Sequence, residues 1–72
     1  MKKKSFILAY DIPTNLPYFK KKINRLLRKM NAKMVQRSLW SSEDLEGLIK
    51  IAILIKNAGG KARIMEEKLI FE

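Results

Sequence analysis

A chain of 72 residues with no cysteine and no histidine has few ways to do chemistry. Disulfide staples and thiolate metal sites are excluded, as are the usual zinc ligands, the usual general base and any Ser-His-Asp triad. The net charge of +9 is lodged in one half: residues 1–37 carry eleven Lys or Arg against one acid, residues 38–72 five against six. A block of that kind on a small domain points to a polyanionic partner, most often nucleic acid.

With 47% apolar residues the chain is expected to form one domain over 1–72. A core of this size contributes only about 3–5 kcal/mol, so self-association is expected too. Met1-Lys2-Lys3-Lys4 ahead of an apolar run imitates a signal peptide. Asp11 and Pro13 end that run early, no small-residue cleavage site follows, and nothing approaches the ~20 apolar residues of a membrane span. The expectation is a cytoplasmic protein with no membrane partner.

The first strand is read over residues 4–10, where Ser5-Phe6-Ile7-Leu8-Ala9-Tyr10 runs into Asp11. The run is too short for a helix and too apolar for a loop. Asp11-Ile12-Pro13-Thr14-Asn15 is turn chemistry, with Thr14 or Asn15 as a helix cap and Pro17 in the first helical turn. A helix from Pro17 to Met30 follows, because Phe19, Ile23, Leu26, Leu27 and Met30 share one face. Lys20, Lys21, Lys22, Arg25, Arg28 and Lys29 cover the remainder and are the candidate nucleic-acid contacts. An ordinary solvated face would look the same.

After the Asn31-Ala32 link, Lys33 to Trp40 alternates without a purely apolar face. It reads as one strand, or as two short strands broken by a bulge near Arg37-Ser38. Ser41-Ser42-Glu43-Asp44 starts a second helix, either serine capping it, over about 43–58 with Asn57-Ala58-Gly59-Gly60 as its stop. The β-branched content of 48–55 makes a strand there the rival reading. The helix is apolar over more than one face, which suits a subunit contact. Lys61 to Met65 is a strand, and Lys68-Leu69-Ile70-Phe71 is strand-like again. This order fits an α+β, ferredoxin-like β-α-β-β-α-β sandwich with an antiparallel sheet and an extra short C-terminal strand.

Four features, in order, resemble the small CRISPR-associated spacer-acquisition proteins, the second core subunit of an antiviral adaptation machinery. They are the strand ending in Tyr10-Asp11 and followed by Ile12-Pro13, the basic helix from Lys20 to Met30, the Met34-Val35-Gln36-Arg37-Ser38-Leu39-Trp40 segment, and a capped helix leading to Ala62-Arg63-Ile64. The resemblance implies a ferredoxin-like homodimer that binds nucleic acid and bridges copies of the integrase subunit. It also implies metal-dependent endonuclease activity, with the strand-end Asp of each subunit facing its twin and binding the cation. Asp11 inherits that role. The pattern departs where Leu16-Pro17-Tyr18 replace an arginine, and Lys68 to Phe71 matches a shortened form of a segment that crosses between subunits. A toxin-like nuclease branch shares the same fold.

The chemistry of Asp11 can be put in physical terms. Without histidine, a hard cation, Mg2+ or Mn2+, is the remaining way to activate water and neutralise a phosphodiester. One Asp11 is a poor site; two across a two-fold axis make a better one. The bland role is a turn cap through Thr14 or a backbone N–H. Ser38, Arg37 and Arg63 are candidates for holding phosphate or a metal-bound water. Their alternatives are a locally bonded hydroxyl and ion pairs with Glu66 and Glu67. Trp40 and Tyr10 are expected in the core. The sequence leaves RNA or DNA open, and cutting or bridging.

Overall fold

The computed structural model describes residues 4–68 and Ile70. Six elements follow one another: β1 (Phe6–Asp11), α1 (Pro17–Lys29), β2 (Lys33–Gln36), β3 (Leu39–Ser42), α2 (Leu45–Asn57) and β4 (Lys61–Glu66). The four strands form one antiparallel sheet in the order β2-β3-β1-β4. This is the ferredoxin-like arrangement, in which each helix carries the chain over the sheet between strands that are not direct neighbours. The strand expected at Lys68 to Phe71 lies largely outside the described residues.

Strand β1 is central. It pairs with β3 from Phe6 opposite Ser42 to Ala9 opposite Leu39, and with β4 from Phe6 opposite Glu66 to Asp11 opposite Lys61. Alternation along a strand sends its side chains to opposite faces. Leu8 and Tyr10 therefore point to the helices together with Trp40 and Ile64, whereas Ile7, Ala9 and Asp11 share the other face with Leu39, Ser41, Arg63 and Met65. Leu8, Tyr10 and Trp40 are buried beneath Ile23 and Leu27 of α1 and Leu48, Ile51 and Ile55 of α2. Burying one such side chain is worth roughly 1.5–3 kcal/mol, so this single layer supplies most of the driving force.

The five apolar residues that set α1 all meet the core: Ile23 and Leu27 are fully buried, and Phe19, Leu26 and Met30 pack against them. The start of this helix differs from expectation. Leu16, not Thr14 or Asn15, is the N-cap, and no side chain caps it. Pro17 at the first position needs no acceptor, which removes one of the unpaired N–H groups. The strand rival for 48–55 is not realised; that stretch is within α2. Its cap is also not a serine. Asp44 accepts from the Gly47 N–H at 3.0 Å, and Ser42 Oγ accepts from the Asp44 N–H at 3.0 Å. A carboxylate there favours the positive end of the helix as well as bonding to it. Leu45, Ile49 and Ile53, at four-residue spacing on α2, stay exposed.

Both helices stop in the same way. At the end of α1 the Ala32 N–H bonds back to Leu27 and the Asn31 N–H to Arg28, with Asn31 at φ 62. At the end of α2 the Gly60 N–H bonds back to Ile55 and the Gly59 N–H to Lys56, with Gly59 at φ 90. This paired pattern satisfies the last carbonyls and requires one left-handed residue.

Of the two readings of the segment after α1, two short strands broken at Arg37-Ser38 is the one realised, but the break is not a bulge. Those two residues are a tight hairpin turn, with Ser38 at φ 61. The bulge lies earlier. Met34 is opposite Trp40 and Gln36 opposite Leu39, so Val35 is the extra residue. That insertion moves the side-chain alternation by one, which is why Lys33 to Trp40 shows no consistent face.

Gly60 fixes how α2 returns to the sheet. A Cβ there would lie 2.6 Å from the Asp11 carbonyl oxygen and 2.7 Å from Ile55 Cγ2. Backbone cannot give way as a side-chain tip can. Gly60→Ala is expected to destabilise the fold by about 1–3 kcal/mol; an unchanged urea midpoint would contradict the close packing of this corner.

Candidate functional site

The C-terminal end of β1, the β2–β3 turn, the first turns of α1 and the start of β4 meet at one end of the sheet. Asp11, Lys20, Arg37, Ser38 and Arg63 gather there, divided between its two faces, whereas the other cations of α1 run away from it along the helix.

Asp11 closes β1 on the face that carries no helix. It is exposed, and it lines an open cleft of about 310 Å3 together with Lys61, Arg63, Ala9 and Met65. Its carboxylate makes no hydrogen bond or ion pair with the described residues. The turn-cap role through Thr14 is therefore absent, and the acid is free to take a ligand. Lys61 stands opposite it in the β1–β4 register. Behind the cleft, Ile7, Ala9, Leu39 and Met65 give the same face an apolar surface, with Met65 42% exposed. Among the described residues no three His, Cys, Asp or Glu side chains cluster.

Arg63 shares the Asp11 cleft, but Arg37 and Ser38 do not. They line a separate hollow of about 340 Å3 on the helix side, with Tyr10, Lys20, Asn24 and Trp40. The physical reason is the hairpin. Ser38 sits in a turn, and its carbonyl accepts the Tyr10 N–H at 3.1 Å, which places it beside Tyr10 and not beside Asp11. Neither arginine pairs with Glu66 or Glu67: Glu66 meets Lys4 at 3.4 Å, and Glu67 Oε1 accepts from Ser41 Oγ at 3.0 Å.

The basic side chains of α1 also separate. Lys21, Arg25, Arg28 and Lys29 line a shallow groove with Asn24, whereas Lys20 turns toward the Arg37 hollow. Lys22 lines neither. The first turn of α1 holds no acid. The result is a run of cations along the helix that leads to the turn at Arg37. Asn24 belongs to both hollows, and its residue type gives no hint of that; only its spacing from Lys20 and Arg28 on α1 places it between them.

Tyr10 joins the two faces. Its hydroxyl donates to Asn24 Oδ1 at 2.7 Å across the β1–α1 interface. Burial pushes its pKa above the ordinary 10.0, while the nearby Trp40 and Ser38 side chains oppose that rise by favouring the phenolate. The Trp40 approach falls short of hydrogen-bond geometry, and its indole Nε1–H is buried with no acceptor among the described residues.

Comparison with family models, curated protein sequences and solved structures finds no match for this chain.

A hydroxyl whose pKa is raised on folding favours the folded state below its unfolded value and loses that contribution as pH rises through the raised one. Tyr10→Phe is expected to cost about 0.5–1.5 kcal/mol at neutral pH through the missing bond to Asn24. It is also expected to lose less stability than the wild type between about pH 9 and about pH 11. Urea titrations at the two pH values check both; equal losses would show that the Tyr10 hydroxyl is not held in its neutral form.

Proposed function

We propose that this chain is a nucleic-acid-binding homodimer of the CRISPR adaptation kind. Two copies meet through the helix-free faces of their sheets and bring Asp11 together with its twin to hold Mg2+ or Mn2+. The activity proposed is hydrolysis of a phosphodiester bond, with RNA as the preferred substrate. The observation that carries this reading is the position of Asp11. It is an exposed carboxylate with no partner among the described residues, at the end of the central strand and the rim of an apolar sheet face that carries neither helix, in a chain whose neighbouring helix is lined with cations.

One protomer alone does not fit a divalent cation, because Asp11 is the only carboxylate lining the cleft among the described residues. Magnesium accepts one or two carboxylates and fills its remaining positions with water and phosphate oxygens. Two-fold pairing supplies the second carboxylate. A bound cation would provide an activated water and charge neutralisation on the phosphate. The chain's own residues do the rest. Arg63 presents a forked donor to a phosphate at the cleft. Lys21, Arg25, Arg28 and Lys29 hold the strand's backbone by charge, with no preference for sequence.

A second reading is favoured by one observation: Lys61 stands opposite Asp11 in register, and a lysine within reach of the acid would compete with a metal ion. On that reading the same dimer binds DNA and bridges copies of the integrase subunit without cutting.

A magnesium titration with labelled RNA and DNA separates the two. Asp11→Asn is expected to abolish metal-dependent cleavage while leaving the unfolding midpoint near that of the wild type. Undiminished cleavage by the variant would remove the metal role, and binding without any cleavage would favour the bridging role. Arg25→Glu with Arg28→Glu is expected to weaken binding and to lower the slope of log K against log salt by about 0.7–0.9 for each phosphate that is no longer neutralised. A slope equal to that of the wild type would remove α1 from the interface.

A further inference from the structure

The hollow beneath the β2–β3 turn is less open than the Asp11 cleft and the groove along α1. Its volume of about 340 Å3 is at the lower end of the roughly 300–1,000 Å3 range of small-ligand sites. Among the described residues no carboxylate lines it, and its polar groups are mostly donors. Lys20 and Arg37 supply two full positive charges. Asn24 Oδ1 is occupied by the Tyr10 hydroxyl, which leaves the amide NH2 to donate. The Ser38 hydroxyl adds another donor. Met34, 44% exposed, forms an apolar wall.

Two further observations concern the residues that line it. Trp40 is 2% exposed and lines the hollow, yet its Nε1–H has no acceptor among the described residues. Native structures rarely leave such a donor unpaired, and this one approaches the Tyr10 hydroxyl at the same hollow without reaching hydrogen-bond geometry. Ser38 is held at φ 61, a left-handed conformation that a side chain disfavours and glycine adopts freely. The Ser38 side chain lines the hollow and lies close enough to the Tyr10 hydroxyl to favour the phenolate.

We propose that this hollow binds the phosphate monoester of a nucleotide, the phosphate resting between Lys20, Arg37, Ser38 and Asn24 and the sugar or base against Met34. A monoester carries about −1.5 to −2 charges near neutral pH, which matches two cations; a diester within a strand carries one. An enclosed hollow also suits a chain end better than a strand passing through. The inference rests on the nucleic-acid reading and narrows it: the cation run on α1 leads a strand's phosphorylated terminus into the hollow. The same chemistry would hold a free nucleoside monophosphate.

Trp40, the sole tryptophan, lines this hollow, so its emission reports on binding there. Four probes are titrated: one oligonucleotide with a 5′-phosphate, the same with a 3′-phosphate, the same with hydroxyls at both ends, and a nucleoside monophosphate. One phosphorylated strand is expected to bind about tenfold more tightly than the hydroxyl-ended strand and to shift Trp40 emission. Arg37→Ala is expected to equalise the two. Ser38→Gly is expected to reduce the preference while leaving the fold as stable or more so, an outcome that a purely structural serine would not give. A saturable emission shift with the monophosphate at equal affinity supports the site and assigns it to free nucleotide. Equal binding of all strands, with no effect of the monophosphate, overturns the inference and leaves the nucleic-acid reading standing. Failure of every strand to bind removes the nucleic-acid reading. If the monophosphate is silent as well, this site falls with it.

Discussion

The pairing of β1 on both edges is the constraint that everything else follows. A strand held between β3 and β4 cannot slip without breaking two ladders of hydrogen bonds. Its register therefore decides which of its side chains meet the helices. Leu8 and Tyr10 go inward, against Trp40, Ile64 and Ala62. Ile7, Ala9 and Asp11 go outward. A shift by one residue would bury the acid and expose the core, so the place of Asp11 is tied to the stability of the domain. Gly60 tightens the same corner, since its bare Cα lets α2 return against the Asp11 carbonyl.

One end of the sheet is thereby given two faces with different chemistry. On the open face stands an acid with two cations beside it, Lys61 and Arg63, and an apolar floor. On the helix side stands a hollow of donors with no acid among the described residues. Tyr10 is buried between them and bonded to α1, which links the two at short range. The paired-carboxylate site proposed for the first and the phosphate site proposed for the second would lie on opposite sides of one strand end. A strand of nucleic acid bound along α1 reaches the second before the first.

Much of this was legible in the residues, and what was not has identifiable causes. The face of α1 was plain because five apolar positions keep a helical period without a break, and all five meet the core. β1 was plain because an apolar run of its length has few other uses. The break at Arg37-Ser38 was legible as one of two readings, but its form as a tight turn was hidden for two reasons. Ser38 adopts a left-handed conformation that glycine or asparagine normally signals, and Val35 adds a residue that inverts the alternation on which face assignment depends. The cap of α2 was ambiguous because serine and aspartate compete for one role at its start, and hydrogen bonds place Asp44 in it with Ser42 behind. For the site, Asp11 and Arg63 could be joined in advance because paired strands bring them to one face. Arg37 and Ser38 could not be separated from Asp11 without knowing the turn. Asn24 carries no signal of its own, since its role comes from Tyr10 reaching it across the helix–sheet interface.

The proposed pairing of two copies through the open sheet face is the claim on which the functional account depends, and the absence of cysteine allows a direct measurement. Asp11→Cys and, separately, Ile49→Cys on the exposed stripe of α2 would be oxidised under mild conditions and resolved without reductant. A disulfide forms only where Cα atoms come within about 7 Å of each other. The account predicts a covalent dimer from Asp11→Cys and none from Ile49→Cys. A covalent dimer from Ile49→Cys alone, or a monomer in sedimentation with no cross-link from either, would contradict it.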